Sequence, residues 1–356
     1  MPILEGGGSY LKKHKVKYKL ILFISLFFSF LYAQNNVSIK EAKERLNADV
    51  YWEPLSEELL FSKNDMTASI LLDSSLILYS NMTYSILNDP LSFENGEIKI
   101  SLECLKEIQN FFENIKESQE IGYHVGAILI DPGHGGRDAG CVGSYTENGK
   151  THILYEKNIA LSISLDLYNR LKKTYPSKNI MLTRNEDVYP TLPERVEMAN
   201  SIKVNKNEAI LYISIHANAS LNNRAQGFEV WYLPPEYRRN LIEKEEATKD
   251  IHSILNSMLE EEYTMESVLM AKAVLDGLDK EIGSVSRNRG IREEEYIVVK
   301  NVKMPSILVE VGFVSNKEEA KRLNTPSYLK KCTTGIYNGL VSFIYQFESS
   351  KGFIAK

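Results

Sequence analysis

Histidine and glutamate side chains that meet at one place can hold a metal ion and work on water, and this sequence sets four of them at separated but similar positions. His134 follows the apolar run Ala127 to Ile130, which is broken by Asp131, Pro132 and Gly133. His216 ends a second run that starts at Ile210, and Glu310 lies near the end of a third, from Ser306 to Val311. Short apolar runs closed by turn residues read as buried strands. All three groups therefore fall at strand carboxyl ends, where open α/β sheets bind ligands. Catalytic zinc takes three protein ligands of the His and Glu kind and keeps a fourth position for water. Glu156, which opens a helical pattern running to Leu171, is the candidate for the third ligand, and His152 is its rival. A lone His after a strand is also a common turn residue, and a Glu in a first helical turn is favourable for electrostatic reasons alone. His14, His124 and His252 have no comparable setting.

The segments between these residues must place them. After the His134 strand the pattern gives a helix from Glu156 to Thr174, a strand over Asn179 to Thr183, a helix over Leu192 to Lys203, and the His216 strand. It continues with a strand at Gly227 to Tyr232, a helix at Val268 to Ile282, a short strand at Tyr296 to Val299, the Glu310 strand, and a closing helix from Ser327 to Phe347. Alternating strands and helices predict an α/β fold, a mostly parallel sheet with helices on both faces. The boundaries are residues 122 to 350.

Taken in order, these segments resemble the zinc-dependent N-acetylmuramoyl-L-alanine amidases. The resemblance is carried by Ile130 to Gly136, by Glu156-Lys157-Asn158, by Leu182-Thr183-Arg184 with Asp187, and by Ser214 to Asn218. It continues through Asn288-Arg289-Gly290 and Pro305 to Asn316. It implies that His134, Glu156 and His216 hold zinc and that Glu310 is the catalytic carboxylate. It further implies hydrolysis of the amide between N-acetylmuramic acid and L-alanine in peptidoglycan, in wall remodelling or daughter-cell separation. The same metal chemistry suits a zinc peptidase or deacetylase on another wall substrate. A catalytically inactive wall-binding regulator is the reading from a different class. Arg184 and Arg195 are candidates for binding an acidic substrate group, with ion pairs to Asp187 or Glu194 as the alternative. Asn218 is a candidate for binding peptide or orienting the site.

One stretch departs from the simplest family pattern. Residues 234 to 265 form a charged insertion entered through Pro234 and Pro235, with apolar residues at Ile251, Ile254, Leu255, Met258 and Leu259 on one helix face. It resembles a segment of division-associated amidases that folds over the zinc and is released by an activator protein. Glu243, Glu245 or Glu246 would then fill the open zinc position; a solvated surface helix is the alternative.

The remaining sequence bounds the surroundings. Lys12 to Lys19 followed by an apolar run to Ala33 reads as a signal peptide over residues 1 to 33, so export to the periplasm or cell envelope is expected. Residues 34 to 121 read as a small α+β domain of the wall-association kind, with Ser38 and Glu41 at capping-box spacing. That region weakly resembles the amino-terminal domain named after copper amine oxidases, without implying copper. A net charge of −5 and the absence of a basic patch argue against a nucleic-acid partner. Cys104, Cys141 and Cys332 lack the spacing of a zinc-thiolate site or a disulfide framework.

Overall fold

The structure is a computed structural model. It describes residues 36 to 350 and residue 352, apart from 65, 73, 80–83, 95, 114–122, 206 and 242–248. The expected signal peptide and Glu243, Glu245 and Glu246 lie outside the described residues. The chain divides into two compact units between residues 120 and 121.

The first unit begins with β1 (Asn36–Ser38) and α1 (Ile39–Leu46). Ser38 caps α1 by accepting the Glu41 N–H, and Ala42 and Leu46, four residues apart, form its buried face. Glu41 does not complete a capping box; it pairs with Arg45. Then follow β2 (Asp49–Glu53), β3 (Glu58–Lys63), β4 (Met66–Leu71), β5 (Leu76–Tyr79) and β6 (Tyr84–Ile86), an antiparallel meander. Finally β7 (Leu91–Glu94) and β8 (Glu97–Ser101) pair with each other, β8 also pairs with β1, and α2 (Leu102–Glu113) closes the unit. Leu59, Phe61, Ile70, Ile77, Ile100, Ile108 and Phe112 pack between strands and helices. The unit is α+β.

The second unit is built on six strands: β9 (His124–Pro132), β12 (Asn179–Leu182), β13 (Glu208–Asn218), β14 (Phe228–Tyr232), β15 (Asn288–Glu293) and β16 (Ser306–Phe313). Their order is β12-β9-β13-β16-β14-β15, and every neighbouring pair is parallel except β14 with β16. A separate hairpin joins β10 (Val142–Glu147) to β11 (Lys150–Tyr155). The helices are α3 (Glu156–Thr174), α4 (Leu192–Asn200), α5 (Lys249–Ile282), α6 (Ile297–Asn301), α7 (Lys317–Leu323) and α8 (Pro326–Ser349).

Side chains alternate between the two faces of a strand, and that alternation sorts this sheet. Ile128 and Ile130 on β9, Ile213 and Ile215 on β13, Ile307 and Val309 on β16, and Phe228 and Val230 on β14 pack against α3, α5 and α8. The residues between them face the other way. Leu129, Tyr212, Leu308 and Trp231 pack with Ala199 of α4 and Val298 of α6. Asp131, Ser214, His216, Glu310 and Glu229 share the parity of that second set, so the polar row lies on the α4 and α6 face. The expected α/β architecture with helices on both faces is present.

Two local expectations are corrected. Tyr296 to Val299, a β-branched run, is not a strand: α6 starts at Ile297 and buries Val298 and Val299 beside Leu308. Packing outweighs strand propensity there. Asn288-Arg289-Gly290 opens β15, paired with β14, with Gly290 at φ 89°. The insertion is not a helix of its own either, since α5 runs unbroken from Lys249 to Ile282. Its entry is fixed by a buried ion pair, Arg239 Nε to Glu260 Oε1 at 2.7 Å, and Arg239 also donates to the carbonyls of Val302 and Met304. Leu255 is buried while Ile254 is exposed, so only part of the expected apolar face packs inward.

Candidate metal centre and catalytic cleft

β9 ends at Pro132, and the chain then turns sharply through His134 at φ 59°, Gly135 at 129° and Gly136 at 54°. A left-handed histidine is uncommon and needs surrounding structure to hold it. Two buried arginines supply that. Arg184 donates from Nε to the Pro132 carbonyl at 3.0 Å and from Nη2 to the Gly133 carbonyl at 2.7 Å. Arg195 donates from Nη2 to the His134 carbonyl at 2.6 Å and from Nη1 to Asp131. Both are buried, at 3% and 2% exposure, and neither pairs with the acid expected from sequence, although Arg195 also lines the cleft beside His134 and His216. Asp187 instead accepts from Lys157 and the Gly136 N–H, and Glu194 completes a capping box with Thr191. Asp131 gathers Arg195, Thr183, Tyr212 and Ser214; burial would raise its pKa, but Arg195, Thr183 and Tyr212 outweigh it and hold the carboxyl below the usual range.

Against this frame His134, Glu156 and His216 converge. Their ligand atoms lie within 4.8 Å of one another, a group that could hold a metal ion. Glu156 opens α3 and is 2% exposed. Its Oε1 lies 2.8 Å from His216 Nδ1, and its Oε2 lies 3.2 Å from His134 Nε2. Backbone N–H groups of Ala217 and Cys141 donate to the same two oxygens at 3.1 and 2.7 Å. Burial alone would raise the Glu156 pKa; the bonds from the two histidines outweigh it and hold the carboxyl well below the usual range. His134 turns its Nδ1 to Asp138 Oδ2 at 2.8 Å, the kind of partner that fixes a ligand ring and its tautomer.

The backbone makes room for these rings at two glycines. A Cβ on Gly133 would come within 2.3 Å of the His216 ring. One on Gly140, at φ 65°, would come within 2.6 Å of Glu156 Oε2 and 2.7 Å of the His134 ring.

Glu310 stands beside the group on β16, in register with His216 of β13. It is 7% exposed, and its Oε2 is buried without a hydrogen-bond partner. Its carboxyl is pushed well above the ordinary range by burial, with the charges of Glu156 and Glu229 adding to the effect. A cleft of about 260 Å³ opens past His134 and His216, walled by Tyr189, Leu192, Tyr296 and Leu308.

The rival ligand, His152, lies elsewhere: it stacks on Tyr145 at 4.8 Å across the β10–β11 hairpin. Asn218 donates to Glu229 at 2.9 Å. Cys141 is half-buried with its thiol pushed up to about 12 by burial first, and Cys104 and Cys332 are buried free thiols. Sequence reasoning missed Asp138 and Glu229. Asp138 carried a signal, an acid four residues after the histidine in a glycine loop; Glu229, one acid in a strand, carried none.

Residues 128–342 match the family described as N-acetylmuramoyl-L-alanine amidase. The chain is 32% identical over 236 residues to the probable N-acetylmuramoyl-L-alanine amidase AmiB of Haemophilus influenzae, covering 61% of this chain but only 51% of that one. It is 34% identical over 207 residues to a putative N-acetylmuramoyl-L-alanine amidase of Buchnera aphidicola, covering 56% and 88%. It is 28% identical over 243 residues to AmiA of Escherichia coli, covering 63% and 78%. Among solved structures, an amidase of Clostridium difficile 630 matches at 28% identity and a TM-score of 0.46, over 62% of this chain and 98% of that one. With a family match spanning more than half of its length, the chain belongs to the N-acetylmuramoyl-L-alanine amidase family.

Proposed function

We propose that the chain is a zinc hydrolase that cuts the amide between the lactyl group of N-acetylmuramic acid and L-alanine in peptidoglycan, acting at the cell envelope after export. The observation that carries this reading is the buried, unpartnered Oε2 of Glu310 beside the His134, Glu156 and His216 group. Two imidazoles and one carboxylate, each oriented by a further hydrogen bond, fit zinc in its catalytic form with three protein ligands. Zinc held there would polarise the scissile carbonyl and lower the pKa of a water toward about 7.

The chain's own residues do the rest. Glu310 takes the proton from the water as the water oxygen bonds to the carbonyl carbon. It passes that proton to the nitrogen as the carbon–nitrogen bond breaks, giving a carboxylic acid and a free amine. A carboxyl whose proton affinity is raised by burial suits both halves of that transfer. Asp138 holds the His134 ring, and Arg184 and Arg195 hold the turn that carries it.

Digesting purified peptidoglycan and identifying the released ends by mass spectrometry tests the reading. New L-alanine amino termini are expected; cuts within the peptide or loss of acetate would point to a peptidase or a deacetylase. The proposal that an activator protein releases residues 234 to 265 rests on the sequence pattern. Its test is whether the isolated full chain gains activity when envelope extract is added.

A further inference from the structure

Beyond Glu310 the same row of the sheet carries a second carboxylate with a different use. Glu229 of β14 is in register with Glu310 and 1% exposed. Its Oε1 accepts from Asn218 Nδ2 at 2.9 Å, and its Oε2 meets Arg289 Nε at 2.7 Å and Arg292 Nε at 2.9 Å. One buried negative charge therefore fixes two guanidinium groups and leaves the cluster with an excess positive charge. Aromatic rings back both groups: Arg289 lies 5.0 Å from the Phe313 ring and Arg292 lies 5.6 Å from that of Trp231.

Both arginines use Nε on Glu229, and their side chains stay 25% and 41% exposed. Among the described residues, the only further bond from either guanidinium is a long one, Arg289 Nη1 to the Gln226 carbonyl at 3.5 Å. Terminal N–H groups are thus left facing solvent in a fixed orientation, a fork that suits a carboxylate. The cleft is close by. Tyr296, which lines it with His134 and His216, meets the Trp231 ring edge-on at 5.6 Å.

We infer that Arg289 and Arg292 form a carboxylate subsite that reads an acidic group on the leaving peptide about two residues from the scissile amide. The inference rests on the amidase reading of the adjoining site. In that substrate the sugars beside the cut are neutral, so a carboxylate can come only from the peptide. Spacing agrees with this. Arg289 and Arg292 stand on β15 but reach back to Glu229 on β14, which lies two strand spacings, about 9.6 Å, from β13. Two residues of extended peptide reach about 7 Å, and a charge-assisted hydrogen bond adds about 2.8 Å. Selectivity for a free acid over the same stem amidated at that group follows.

The test compares two soluble muramyl peptides, one with the second-residue carboxylate free and one with it amidated. The full wild-type chain is expected to cut the free acid about tenfold more efficiently, chiefly through a lower KM. Arg292→Gln is expected to bring that ratio close to one with its melting temperature held, and Arg292→Lys to recover part of it. Arg289→Gln serves as a second variant should the first fail to fold. Equal efficiency of the wild type on both peptides overturns the subsite and leaves the amidase reading standing. A variant that slows both peptides by the same factor overturns it too, because it assigns the arginines a structural role. Failure of the wild type to cut either peptide overturns the amidase reading and this inference with it.

Discussion

Glu310 and His216 sit directly across from each other on adjacent parallel strands, and of the two only Glu310 keeps a buried polar atom without a partner. A buried unsatisfied carboxyl oxygen costs stability, so its persistence beside the His134, Glu156 and His216 group, which could hold a metal ion, fits a group kept for a reacting molecule.

The glycine at 140 is predicted to be a requirement of the metal group as well as of the turn, whose φ of 65° disfavours any side chain. Gly140→Ala would press a methyl against Glu156 and His134. Zinc affinity should fall about 10- to 100-fold, the scale of disturbed support around metal ligands. Competition with a fluorescent chelator reads it. Unchanged affinity in a folded variant would show that the loop can shift without moving the ligands.

The buried pair of Asp131 with Arg195 is predicted to carry stability as well as geometry. Asp131→Asn leaves a guanidinium at 2% exposure without its charge partner, which should cost about 3–5 kcal/mol in urea unfolding. A loss below about 1 kcal/mol would mean that the carbonyls of Pro190, Pro132 and His134 satisfy Arg195 unaided.

A third prediction concerns pH. Glu266 on α5 is 3% exposed, and its carboxyl is pushed well above its ordinary 4.5 by burial first and then by Glu262. Between that ordinary value and the raised one, the folded protein holds a proton that the unfolded chain has released. Stability therefore falls as pH rises through the window and stays lower above it. Glu266→Gln should raise the melting temperature by at least about 2 °C at pH 7.5, with the gap closing toward pH 4.5. A gap that does not change with pH would contradict the assignment.

Much of this was legible in the sequence because strand periodicity and turn residues are local. The runs ending in His134, His216 and Glu310 gave their strands, and the parallel sheet then put those ends on one edge. Glu156 could be proposed because it opens a long helical pattern between the His134 and His216 strands. What stayed hidden depends on tertiary partners. Arg184 and Arg195 bind backbone carbonyls about fifty residues away or more, which no local pattern encodes. Ile297 to Val299 reads as a strand by β-branching and becomes a helix because the space beside Leu308 takes one. The continuity of α5 was missed because its charged first half and apolar second half look like separate elements.

The proposed site divides its labour, with His134, Glu156 and His216 holding metal and Glu310 acting on water. The most direct test measures zinc per chain and hydrolysis of a soluble muropeptide side by side in Glu310→Gln and His216→Ala. Glu310→Gln should keep about one zinc per chain while its rate falls by about 10²- to 10⁴-fold, the range for loss of a general acid–base. His216→Ala should lose both zinc and activity. Equal zinc loss in the two variants would make Glu310 a ligand and contradict the account.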